Sequence, residues 1–149
     1  MNSVAMLQAV LDKALADRDI AAQELRAAER LVQAAQTQAS SLQSYRVDYD
    51  QRWVSRFRES GGPELLHCHR SFGQRLDQVI TLQTNNAQQL GNRLNLARQS
   101  VLAREQRVAA VRKLMARRQA ELQKINANRD QRNTDEAAQR AHSHRLSQQ

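Results

Sequence analysis

The sequence predicts an all-α protein: a long two-helix antiparallel coiled-coil hairpin with a longer second helix. Three observations carry this reading. Ala, Leu, Gln, Arg and Glu dominate the 149 residues, and all are good helix formers. Only 4 Gly and 1 Pro occur, too few for the turns an all-β chain needs every ~8–12 residues. Apolar residues recur at alternating steps of four and three, the period of a left-handed supercoil. Aromatics make up 3% and apolar residues 40%, which fits a narrow seam better than a globular core or a disordered chain.

The first helix is expected over about residues 3–58, with Asn2 or Ser3 as its cap, since either can accept a bond from a free backbone N–H. Its seam reads Leu7, Leu11, Ala14, Arg18, Ala21, Leu25, Ala28, Val32, Ala35, Ala39 and Leu42. The many alanines require a partner helix that approaches closely or brings larger side chains. The turn is expected at about 59–63, in Ser60-Gly61-Gly62-Pro63-Glu64. Gly61 or Gly62 suits the left-handed residue that ends a helix, and Pro63 suits the first position of the next. The second helix is expected over about 63–143, followed by a frayed tail. Its seam reads Phe72, Leu76, Val79, Gln83, Ala87, Leu90, Leu94, Ala97, Val101, Arg104, Val108, Val111, Met115, Arg118, Leu122 and Ile125. The steps from Val79 to Gln83 to Ala87 are two fours in a row, a stutter that unwinds the supercoil locally.

A turn near position 61 pairs residues whose numbers sum to about 122, so Leu11 faces Val111 and Ser3 faces Gln119. At 1.5 Å per residue the paired stem is roughly 85 Å long. Residues beyond about 120 overhang it, with Leu122 and Ile125 on an uncovered seam. Two helices enclose no substrate, so the expectation is a chain that is not an enzyme and needs no cofactor. His67, Cys68 and His69 are consecutive, and neighbours on a helix point about 100° apart, so they do not converge on a metal. A lone cysteine excludes an intrachain disulfide framework. No stretch approaches the ~20 apolar residues of a membrane span, and the expected location is the cytoplasm.

The formal net charge is +8, and it is unevenly spread: residues 1–50 carry −2, residues 51–100 carry +4 and residues 101–149 carry +6. A basic C-terminal half needs an acidic partner or is a solvated face. Acidic residues interrupt it and no aromatic accompanies it, so nucleic acid fits poorly and an acidic protein surface fits better. The basic residues of that region include Arg112, Lys113, Arg117, Arg118, Lys124, Arg129 and Arg132.

All five aromatics lie between positions 45 and 72: Tyr45, Tyr49, Trp53, Phe57 and Phe72. They gather at the hairpin end, as interface anchors or as a clasp closing the stem. Gln38 with Gln83, Leu42 with Val79, Tyr45 with Leu76 and Tyr49 with Phe72 form four possible layers. A second frame, Leu42, Arg46, Tyr49 and Trp53, also keeps the 4-3 spacing. If it faces inward, Gln38 and Tyr45 are displayed on the side.

The segments Gln38-Ala39-Ser40-Ser41-Leu42-Gln43-Ser44-Tyr45-Arg46-Val47-Asp48-Tyr49, Phe72-Gly73-Gln74-Arg75-Leu76 to Ile80, and Asp135-Glu136-Ala137-Ala138-Gln139-Arg140-Ala141 together resemble the FliJ family, in order and spacing and over the whole chain. That family belongs to the flagellar type III protein export apparatus. The resemblance implies a stalk-like rod that binds and promotes the hexameric export ATPase (FliI-like), and that engages the cytoplasmic domain of the export gate FlhA and export chaperones. It places the chain in the cytoplasm at the base of the flagellum, on the inner membrane only through its partners. Carried onto this sequence, the gate contact is Gln38, Leu42, Tyr45, Tyr49, Phe72 and Leu76, with Val79 and Gln83 departing from the family's usual Ala and His. The end bearing the termini would enter the ATPase ring, with Arg117, Arg118, Leu122, Lys124, Ile125 and Arg129 as the expected ring contact. The competing readings are the equivalent stalk of a virulence type III secretion system and a basic coiled coil that binds nucleic acid. A parallel homodimeric zipper would have no use for the Gly-Gly-Pro break.

Overall fold

The computed structural model describes residues 3–149 and consists of two helices, α1 (Ser3–Ser60) and the longer α2 (Pro63–Ser147). Asn2, one of the two expected caps, lies outside the described residues. The other, Ser3, is already helical, and its hydroxyl accepts a bond from Arg118 Nε at 2.8 Å.

The expected left-handed glycine does not occur: no described residue, glycine included, has a positive φ. Gly62 instead precedes α2 as its cap, its carbonyl accepting the Leu66 N–H at 3.1 Å. A glycine is tolerated there, and Pro63 takes the first helical position, where its missing N–H costs nothing. Gly61 answers to space. A Cβ on it would stand 3.1 Å from the Phe57 carbonyl oxygen and 3.3 Å from the Phe57 ring.

The chain divides into two compact units. In the unit Asp19–Ala103, α1 packs against the first half of α2. Ala21, Val32, Ala35, Leu76 and Leu94 are buried there. In the unit Met1–Arg18 with Arg104–Gln149, the buried residues are Ala14, Val108 and Val111. Every residue of the expected α1 seam is buried or half-buried. The side chains that close each layer are small, which fits two helices with no third element over them. Leu94→Ala should cost about 2–4 kcal/mol in urea unfolding followed by circular dichroism. Leu96→Ala, at a site 64% exposed, should stay within about 0.5 kcal/mol.

The α2 frame requires two corrections near the turn. Phe72 and Val79 are exposed, while His69 and Ile80 are half-buried and Gly73 is buried. The inward positions are therefore His69, Gly73, Leu76, Ile80, Gln83 and Ala87, which step four, three, four, three, four. The expected stutter at Val79–Gln83–Ala87 vanishes, because it came from placing Val79 on the seam in place of its neighbour Ile80. Arg104, expected on the seam, is exposed and lies 3.9 Å from Asp17. Ile125 is 56% exposed, and every residue from 123 to 149 is exposed. α2 nevertheless continues to Ser147.

A cluster at the hairpin turn and an uncovered helix

Two regions answer to the expected contacts. The first lies beside the turn. Of the two frames that the sequence left open, Leu42, Arg46, Tyr49 and Trp53 face inward, all half-buried. The expected gate residues consequently divide. Gln38, Tyr45, Phe72 and Val79 are exposed, whereas Leu42, Tyr49 and Gln83 are half-buried and Leu76 is buried.

Tyr49 stands at the middle of a ring cluster. Its centroid lies 4.9 Å from Phe72, 5.2 Å from the stacked His69 and 5.9 Å from Trp53. Trp53 also packs on His69 at 5.0 Å and on Phe57 at 5.6 Å. The aromatics thus clasp the hairpin end, and His69 joins them as a fifth ring. Tyr45 is apart from this cluster and 48% exposed. Burial pushes the Tyr49 phenol above its ordinary value of 10.0, only partly offset by its contact with Trp53 and the positive charge of Arg46. A phenol raised on folding favours the folded state below its unfolded pKa, and that contribution is lost as pH rises through the folded value.

Arg46 is the residue that sequence reasoning left undecided. It sits in the seam with its guanidinium over Gly73, and an added Cβ there would meet that group at 3.1–3.4 Å. Its Nε donates to Asp77 at 2.9 Å and its Nη1 to Asp50 at 2.8 Å. Both carboxylates are about half exposed, so each pair is worth only ~0–1 kcal/mol. The planar fork is what suits Arg to bridge two carboxylates from two helices. Two buried polar atoms lack a hydrogen-bond partner among the described residues: His69 Nδ1 in the cluster, and Gln83 Oε1 further along α2. Such an atom typically costs ~1–3 kcal/mol.

The second region is the uncovered stretch of α2. Arg117, Lys124, Ile125 and Arg129 are exposed and Leu122 is half-buried. Arg118 is half-buried and committed within the molecule, its Nε to Ser3 and its Nη1 to Glu121 at 3.2 Å.

The surface depressions at Asp77, Gln78, Thr81 and Leu82, at Asp48, Gln51, Arg52 and Ser55, and at Glu136–Ser147 are each lined by a single helix. Among the described residues no group of three His, Cys, Asp or Glu side chains converges as a metal site, and no helix is long and apolar enough to cross a membrane. Cys68 is exposed.

Comparison with known proteins gives one family. No curated protein and no solved structure matches the chain. The family profile described as "Flagellar FliJ protein" matches residues 3–147, a span that takes in both helices and the turn. The chain therefore belongs to the FliJ family, which is a family of the flagellar export apparatus.

Proposed function

We propose that this protein is a non-enzymatic, stalk-like component of flagellar type III export, acting at the cytoplasmic base of the apparatus. It binds the export ATPase ring and promotes its work through the C-terminal part of α2. It meets the export gate protein through the side of the hairpin end that displays Gln38, Tyr45, Phe72 and Val79. Leu42, Tyr49, Leu76 and Gln83 support that surface from behind rather than touching the gate. Export chaperones are further partners.

The single observation that carries the reading is the unpaired helix beyond residue 122, every residue of which is exposed, in a chain matched by the flagellar family profile. Isolated helices are marginal in water, and this one holds five basic against three acidic side chains from Lys124 onward. A surrounding protein wall of negative charge would supply both the tertiary contacts and the counter-charge that it lacks. Leu122 and Ile125 would be the apolar contacts, with Arg117, Lys124 and Arg129 at the rim.

The test is a titration of the chain into its own organism's export ATPase, following ATP hydrolysis and ring assembly. The expected result is saturable stimulation that weakens with salt. No stimulation at any concentration overturns the stalk reading.

A further inference from the structure

We propose that the hairpin end has two packings of its helices, and that Arg46 seated over Gly73 selects between them. The sequence contains two complete sets of inward residues at this end. The observed set places Arg46, Gly73 and Ile80 inward. The other replaces each by its preceding neighbour, Tyr45, Phe72 and Val79. Leu42, Tyr49, Leu76 and Gln83 belong to both sets and act as pivots. Exchange needs each helix to turn by about 50°, half the step between adjacent helical residues, with no slip along the axis.

The observed packing is not the one that apolar burial alone would choose. It places a guanidinium and a glycine in the seam, and it leaves Tyr45 48%, Phe72 43% and Val79 43% exposed. It also leaves Gln83 Oε1 buried with no partner. In the alternative, Gln38 faces Gln83 and can satisfy it, and three apolar side chains enter the seam.

What holds the observed packing is the clamp. Arg46 reaches Asp50 on its own helix at 2.8 Å and Asp77 on the other at 2.9 Å. A Cβ at position 73 would stand 3.1–3.4 Å from the guanidinium, so the glycine gives the arginine room that a larger side chain would crowd. The side chain at 46 and the gap at 73 are one device. Two packings of similar free energy separated by a local rotation make a switch that a partner can bias. Where the gate reading of the previous subsection holds, the observed packing is the binding-competent one, and the alternative hides Tyr45, Phe72 and Val79.

The experiment uses the full chain carrying Cys68→Ser, with single reporters Val79→Cys or Ile80→Cys, and follows maleimide labelling rates beside helical content. With the clamp intact, Val79→Cys labels several-fold faster than Ile80→Cys. In both Arg46→Ala and Gly73→Leu the order inverts while helicity is kept. An unchanged order in either variant overturns the proposal. Fast labelling at both reporters with loss of helix also overturns it, because no second packing then exists. Affinity for the gate domain is measured separately. Inverted labelling with undiminished gate binding leaves the two packings standing and removes the gate reading.

Discussion

Replacing Tyr45 and Val79 together by alanine should weaken binding to the cytoplasmic domain of the export gate by about thirtyfold or more, with little change in stability. The magnitude follows from the loss of one aromatic anchor and its apolar neighbour. Interface anchors of this kind cost about 2 kcal/mol or more when truncated, and that energy is about thirtyfold in affinity. The stability expectation follows from position. Tyr45 is 48% exposed and outside the ring cluster, and Val79 is 43% exposed, so folding should shift by no more than about 0.5 kcal/mol. Tyr49→Ala is the informative contrast. It removes contacts with Phe72, His69 and Trp53 and should cost about 2–3 kcal/mol of stability. Its effect on binding therefore reports damage to the hairpin end as well as any contact. Calorimetric titration with the gate domain, beside thermal unfolding, separates the two variants. An unchanged affinity for the Tyr45/Val79 double variant would remove this side of the hairpin from the gate interface.

The contrast between Tyr45 and Tyr49 marks how far the sequence could be read. The α1 seam was legible because its alternatives were poor. From Leu7 to Leu42 the 4-3 positions are apolar except for Arg18, and shifting the frame exposes most of them. The turn was legible because Gly-Gly-Pro is the one strong interruption in the chain, although the glycines serve there as a cap and a space rather than as left-handed residues. The α2 frame near the turn was not legible, because the large apolar Phe72 stands beside the true seam residue Gly73, while Val79 and Ile80 are both apolar and leave the pattern ambiguous. In the observed frame Arg46 lies against Gly73, and that contact joins residues far apart in the chain. A glycine inside an otherwise helical stretch costs about 1 kcal/mol relative to alanine, so Gly73 was itself a signal of close approach. His69 was weighed only as a metal ligand beside His67 and Cys68, and set aside because neighbours on a helix do not converge. Its place in a stack of rings across two helices depends on contacts that the sequence does not display. Of the residues expected to meet the gate, half face inward, because a seam and a display surface have the same spacing along one helix.

Truncation after Gln123 should abolish stimulation of the export ATPase while leaving the paired helices as stable as in the full chain. The removed residues are all exposed, so no tertiary burial is lost, and the shift in unfolding free energy should stay within about 0.5 kcal/mol. The functional loss should be large because this stretch is a long helical surface on which every residue is exposed. Its excess positive charge should make stimulation by the full chain fall as salt is raised from about 50 to 200 mM, as the Debye length shortens. A companion variant with Lys124 and Arg129 changed to Glu separates charge from length. It keeps the helix and should lose most of the stimulation. If the truncated chain still stimulates at the full level, the ATPase contact must lie within the paired helices. Retained stimulation by the charge variant alone would instead assign the contact to Leu122 and Ile125.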